Sequence, residues 1–137
     1  MSECVFCKII AGEMPAWKIW EDESVLAFLD INPVTEGHAL VIPKSHARDI
    51  TGLSEAEISG IALALRRIAP AVVEAVGAQG FNILNNCGSV AGQAVEHVHF
   101  HIIPRKAGDG RGYRWITFNY DEGVGEKLAV EISRRLA

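Results

Sequence analysis

Three histidines alternate with apolar residues in His97-Val98-His99-Phe100-His101, and Ile102, Ile103 and Pro104 follow. Side chains alternate faces along a strand, so a strand over 97–104 is expected to set the three imidazoles on one side, neighbours roughly 6–7 Å apart, and Val98, Phe100 and Ile102 in the core. Strand propensity gives no reason for a polar face to be so rich in histidine. Two chemistries use such a row. One is metal binding through His-x-His. The other is nucleophilic attack, because imidazole is partly neutral near pH 7 and one nitrogen can be held while the other reacts. The preceding loop, Asn85 to Gln93, carries Gly88 and Gly92 among small residues. Such loops let backbone N–H groups close on phosphate oxygens, where otherwise they are plain hairpin loops. Arg105, Lys106, Arg111 and Arg114 follow the row, either as solvated surface or as positive charge beside an anionic substrate.

A second chemical motif opens the chain. Cys4-Val5-Phe6-Cys7 is half a zinc signature or a redox pair. The redox form wants a preceding strand in a βαβ unit, and only Met1, Ser2 and Glu3 precede Cys4. A closed structural zinc site needs two further ligands, for which Cys87, His46 and His97 are candidates.

The elements that must position these residues read as α+β with an antiparallel sheet of about five strands, one long helix and shorter terminal helices. A short helix over 4–11 is stopped by Gly12 and Pro15. Strands over 17–21 and 25–29 flank the turn Asp22-Glu23-Ser24. The apolar run 39–42 is a buried strand ending at Pro43. Ser54 and Glu57 form a capping box, with Leu53 and Ile58 placed as a staple. Apolar residues then recur at Ile58, Ile61, Ala62, Leu65, Ile68, Ala69, Val72, Val73 and Val76, one helical face. Pro70 is expected to kink or divide that helix, and Gly77 to end it. A strand over 81–84 and a helix over 126–136, with Leu128, Ile132 and Leu136 on one face, complete the reading.

The chain of 137 residues is 49 % hydrophobic and 22 % charged, which fits one folded domain over 1–137 with a core of its own. A net charge of −4 argues against a nucleic-acid binder driven by phosphate contacts. No apolar run approaches the roughly 20 residues of a membrane span, and the N-terminus lacks the basic-then-apolar order of a secretory signal. Three cysteines are odd in number and too few for a disulfide scaffold. The cytoplasm is the expected compartment, with neither nucleic acid nor membrane as partner.

His97-Val98-His99-Phe100-His101-Ile102-Ile103 resembles, at all seven positions, the pattern that names the histidine-triad (HIT) family of nucleotide hydrolases and transferases. Phe28 to Pro33, Gly37 to His46 and Gly92-Gln93 are similar to the family in the same order. The resemblance implies a HIT-like fold and an enzyme that cleaves a leaving group from the α-phosphorus of a nucleoside monophosphate, AMP or GMP. His99 would attack and become nucleotidylated. His101 would contact the phosphoryl or leaving group, and Gln93 with N–H groups near Gly92 would stabilise its oxygens. Asn86 would face the phosphate or the leaving-group side, Asp30 the ribose, and His38 would lie beside the pocket. Phe6, Ile9, Phe28, Leu29 and Ile31 would line the base site. Many relatives have Ser or Thr where this chain has Ala94, which leaves only the Ala94 N–H and puts rate or leaving-group preference in question. One branch of the family pairs an N-terminal C-x-x-C with two histidines. The resemblance therefore implies a structural zinc on Cys4, Cys7, His46 and His97. It points to a phosphoramidase-like enzyme, a homodimer acting on a purine nucleotide. The rivals are a dinucleoside polyphosphate hydrolase, suggested by Pro104 to Asp109, a nucleotide-binding scaffold with vestigial activity, and a metal-dependent hydrolase using all three histidines.

Overall fold

The computed structural model describes residues 3–112 and 115–137, and Arg114 lies outside them. Five strands form one antiparallel sheet: β1 (Lys18–Glu21), β2 (Val25–Leu29), β3 (Ala39–Pro43), β4 (Gly80–Asn85) and β5 (Phe100–Arg105). Their spatial order is β1-β2-β3-β5-β4. Among the described residues three α-helices accompany them, α1 (Val5–Ile10), α2 (Glu55–Val76) and α3 (Val124–Leu136).

The two sheet faces bury different partners. Val25, Ala27, Ala39, Val41 and Ile102 pack against Ile61, Ala64, Leu65, Ile68, Ala69 and Val72 of α2. Leu26, Phe28, Leu40 and Ile42, one residue out of phase, pack with Phe6 and Ile9 of α1. Strand alternation thus sorts one apolar run into two cores. His101 is paired with Leu40 on one side and Leu84 on the other, so it shares the α1 face.

The Ser54–Glu57 capping box forms, with both reciprocal bonds present. The helix then runs unbroken for 22 residues and ends at Gly77, whose φ of +68° is left-handed. Pro70 neither divides it nor marks its end. The residue is exposed, so water can solvate the carbonyl that loses its partner. The proposed strand over 97–104 is shorter at its start, beginning at Phe100 opposite Asn85, the last residue of β4. Before that point the Val98 N–H leaves the sheet and donates to Ala47 O at 2.9 Å. Alternation nevertheless persists, because Val98 and Ile102 are buried and Phe100 packs partly into the α2 core. Among the described residues no helix is long and apolar enough to cross a membrane.

Candidate functional site

The histidine run spans two clusters. The first begins at α1, where Cys4 is the N-cap and its Sγ accepts the Cys7 N–H at 3.4 Å. Residues three apart on a helical turn share a side, so the two sulfurs lie together. His97 is fully buried. Its Nε2–H donates to Pro43 O at 2.9 Å, because a carbonyl only accepts. The other nitrogen, Nδ1, then carries a lone pair. That Nδ1 lies 3.4 Å from Cys4 Sγ, 3.7 Å from Cys7 Sγ and 3.2 Å from His46 Nδ1, and His46 Nδ1 lies 3.4 Å from Cys7 Sγ. Zinc bonds of about 2.0–2.1 Å to nitrogen and about 2.3 Å to sulfur give tetrahedral edges of roughly 3.3 Å N–N and 3.6 Å N–S. The four donor atoms match those edges and lie within 4.8 Å of one another. Burial keeps His97 neutral by lowering its pKa, against the raising effect of the Pro43 carbonyl. Burial first, and then Cys4, push the Cys7 thiol up; a bound cation reverses that logic. Cys87 stands apart, exposed, its Sγ–H donating to Asn85 Oδ1 at 3.1 Å.

The second cluster begins two residues on. The His99 Nδ1–H donates to the His97 carbonyl at 2.8 Å, which leaves Nε2 as the lone-pair nitrogen. The His99 carbonyl in turn accepts the Asn85 Nδ2–H at 2.9 Å, continuing the β4–β5 ladder by a side chain where the backbone pairing stops. Phe6 meets His99 edge-on, with ring centroids 5.2 Å apart. The rings of His99 and His101 are 5.1 Å apart. His101 Nδ1 lies 2.8 Å from His38 Nε2, and Asp30 Oδ2 is 3.6 Å from the same His38 atom. Among the described residues no buried side-chain nitrogen or oxygen lacks a partner. Among the described residues the Nε2 atoms of His99 and His101 have no partner, so neither is a buried unpaired nitrogen and both open to solvent. Burial pushes the His101 pKa down to about 4, helped by the nearby His99 and His38 and opposed by Asp30. Burial also lowers that of His38, again opposed by Asp30.

The phosphate-loop residues are placed differently from expectation. The Gln93 side chain is engaged at both ends. Its Oε1 accepts the Gly88 N–H at 2.7 Å, and its Nε2 donates to Arg48 O at 2.6 Å and Val95 O at 2.9 Å. Gln93 therefore ties the loop to the segment beside His46 and has no free N–H for a substrate oxygen. The N–H groups of Ala91, Gly92 and Gln93 are also taken within the loop. Among the described residues the Ala94 N–H has no partner, nor do those of Ser89 and Val90, so these are the open donors of the loop. Asn86 Nδ2 donates to Gly92 O at 3.3 Å. Gly92 has φ +99°, and a Cβ there would stand 3.3 Å from Asn86 Nδ2, so the turn requires glycine.

Of the residues expected at a base site, Phe6, Ile9 and Phe28 do meet, in the α1 cluster, with Phe6 and Phe28 edge-on at 5.6 Å. Ile31 is exposed beyond the end of β2. Leu29 is a correction: it packs with the α2 cluster, on the opposite face from His101, because it alternates with Phe28. Asp30 keeps Oδ1 on the Asn32 N–H at 2.8 Å. Arg105 is held by Asp109 through two bonds of 2.9 Å and by Asn82 at 3.0 Å, which commits it to the fold. Sequence reasoning missed Asn85. The available signal was an asparagine at a strand end, where a side-chain donor can replace a lost backbone partner.

Comparison with known proteins agrees with this geometry. The family model described as "HIT domain" matches residues 11–108. The "adenosine 5'-monophosphoramidase hnt1" of Schizosaccharomyces pombe is 40 % identical over 134 residues, covering 97 % of this chain and 98 % of that protein. A solved member of the HIT family from Bacillus subtilis superposes with a TM-score of 0.92 at 44 % identity, covering 98 % of each chain. A zinc-bound histidine triad family protein from Mycobacterium smegmatis superposes with a TM-score of 0.77 at 40 % identity, covering 98 % of this chain and 96 % of that one. With the triad, its sheet and its loop in place, the chain belongs to the HIT family.

Proposed function

We propose that the protein is a nucleotide phosphoramidase-like hydrolase that transfers a nucleoside monophosphate, AMP or GMP, to His99 and then to water. The observation that carries this reading is the pair of adjacent rings, each held at Nδ1 and each open at Nε2. The monophosphoramidase name of the fission-yeast relative supports the leaving-group chemistry.

The His99 Nε2 lone pair attacks the α-phosphorus, and the bond from phosphorus to the leaving group breaks. Water then attacks the same phosphorus, the N–P bond breaks, and the monophosphate leaves. Overall one P–N bond and one water O–H are exchanged for P–O and N–H. The hydrogen bond to the His97 carbonyl stabilises the positive charge that His99 gains on attack. On this reading the open Ala94 N–H meets a non-bridging oxygen, Asp30 meets the ribose, and the Phe6–Ile9–Phe28 cluster borders the base. Cys4, Cys7, His46 and His97 would hold zinc, which would supply a cross-link between α1 and the sheet and no reactive group.

A homodimer is part of the proposal. Phe81 and Ile83 on the outer strand β4, and Leu128 and Ile132 of α3, are large apolar residues left exposed, and a second copy would cover them. Cys87, outside the proposed zinc set, is a free thiol, which fits the reducing cytoplasm. The test is turnover of an adenosine phosphoramidate, a diadenosine polyphosphate and an aminoacyl adenylate side by side, with the wild type and His99→Ala. Fastest turnover of the phosphoramidate, lost in the variant, is the expected result. Preference for the polyphosphate would select the rival enzyme, and nucleotide binding without turnover the scaffold.

A further inference from the structure

We propose that His38 is a positioning residue that holds His101 as a neutral imidazole with its single proton on Nε2, so that His101 serves the phosphoryl group as a hydrogen-bond donor and not as a proton-transferring acid. The proposal deepens, and rests on, the reading of His99 as nucleophile.

The argument starts from a backbone amide. The Val34 N–H lies 3.0 Å from His38 Nδ1. An amide N–H can only donate, so His38 Nδ1 is the lone-pair nitrogen and Nε2 carries the proton. That proton faces His101 Nδ1 at 2.8 Å, while Asp30 Oδ2 at 3.6 Å is beyond hydrogen-bond distance. His101 Nδ1 must therefore accept, and the one proton left to a neutral His101 sits on Nε2, the nitrogen open to solvent. Charging His38 would set its Nδ1–H against the Val34 N–H. Charging His101 would set two N–H groups against each other across 2.8 Å. The ionisable groups that face the pair are Asp30 and His99. Asp30 favours a cation, but burial outweighs it at both rings.

The loop that carries Val34 is held in place. Thr35 Oγ1 donates to Pro104 O at 2.7 Å, Arg111 Nε donates to Val34 O at 2.9 Å, and the His38 N–H donates to Thr35 O at 3.1 Å. Gly37 has φ +88°, and a Cβ there would stand 2.8 Å from Val76 Cγ1, so α2 closes against the residue before His38. The same logic answers a rival chemistry. Asp30, His38 and His101 lie close enough to suggest a metal site, but His38 Nε2 has no lone pair to give.

The chemical consequence is a substrate preference. A neutral imidazole that surrendered its only proton would become an imidazolate, which is not accessible near pH 7. His101 can still stabilise developing charge through its Nε2–H. The departing atom must bring its own proton or need none. The site therefore suits amines protonated on nitrogen and weakly basic oxyanions such as sulfate, and it disfavours alkoxides.

The direct test is nitrogen NMR of the 15N-histidine-labelled full chain. His101 is expected to show a pyridine-type Nδ1 and a pyrrole-type Nε2, unchanged from pH 8 to 5.5. An imidazolium or the opposite tautomer at pH 7 overturns the proposal, whatever the enzyme does. His38→Ala is expected to mix the His101 tautomers and lower kcat about tenfold, a loss of one hydrogen bond's scale, with KM within about twofold. His38→Gln, which keeps a side-chain N–H donor, should recover most of kcat. Unmixed tautomers in His38→Ala, or no recovery in His38→Gln, would make His38 a structural residue only. With the wild type and a series of oxygen leaving groups, which depart as anions, a steep fall in rate as they become more basic is expected, and a shallow one means proton transfer and contradicts the neutral donor. Failure of every substrate with the NMR pattern intact would reject the enzymatic reading and with it the catalytic half of the proposal, leaving only the tautomer.

Discussion

The two ends of the histidine run use the same side chain in opposite ways. At the metal end the Pro43 carbonyl takes the His97 Nε2–H, and Nδ1 is turned with its lone pair toward two sulfurs and His46. Two residues later the His97 carbonyl takes the His99 Nδ1–H, and Nε2 is the free nitrogen. At His101 a third arrangement appears, where Nδ1 faces another imidazole. The backbone decides, ring by ring, which nitrogen is spent on structure. Lone pairs that converge make a cation site. A lone pair beside an N–H makes a site for attack on an electrophile. Residue type and spacing are alike across the run, so the division lies in the second partner of each ring.

The largest effect should come from breaking the attacking end alone. His99→Ala is expected to lower kcat by several orders of magnitude, the scale of deleting a covalent nucleophile. Nucleotide affinity should stay within a few-fold, since the proposed ribose and base contacts lie on β2, its following loop and α1. The metal content should not change. Turnover of more than a few per cent of wild type would remove His99 from its role.

Breaking the metal end should do the converse. Cys4→Ser/Cys7→Ser is expected to lose one zinc per chain and to lower the Tm by about 10 °C, the effect of a few kcal/mol in a domain of this size. Activity measured well below that Tm should persist. Metal analysis and thermal unfolding of both proteins check this. Wild-type protein without zinc after growth in metal-replete medium would return His97 to the pool of reactive histidines. Prompt loss of activity without unfolding would favour the metallohydrolase.

A smaller effect sharpens the attacking end. Asp30→Ala should weaken ribonucleotides roughly ten- to hundredfold more than 2'-deoxyribonucleotides, the cost of a hydrogen bond to a charged acceptor. Asp30 also caps the turn through Asn32. Equal losses for both sugars would therefore assign it to the loop and not to ribose.

The legibility of these features in the sequence follows the range of the interactions involved. The capping box, Gly77 and the apolar phase of β2 and β3 act within a few residues, and the strands and helices they specify are present. The triad and the C-x-x-C announce themselves by type and spacing, and the resemblance to a known family supplies the distant partner His46. Other features were hidden. The start of β5 depends on where β4 ends, a contact across the sheet. The face of Leu29 follows from a phase that the short apolar run left unmarked. The engagement of Gln93 depends on the carbonyl of Arg48, 45 positions away. Val34 is harder still, because its contribution is a backbone N–H and any residue except proline has one.

The smallest effect tests both ends at once, through acid. His38 and His101 both have pKa values below the ordinary histidine value, chiefly by burial, and that of His101 falls to about 4, while at the Cys4–Cys7 end protons compete with zinc for the ligands. A group whose pKa is depressed in the folded state stays neutral where the unfolded chain already binds a proton. The unfolded state then holds more protons, so stability rises with pH between the folded and unfolded values. The Tm should be flat above about pH 7, start to fall near 6.5 and continue falling toward 4. A Tm that rises on acidification through this range would mean that the fold charges these rings, which contradicts their burial and the neutral His38–His101 pair. The cysteine variant divides the effect. With the metal end dismantled, its Tm starts lower, but the slope due to His38 and His101 should remain, because nothing in that pair depends on zinc. A flat profile in the variant would place the whole acid response at the metal end.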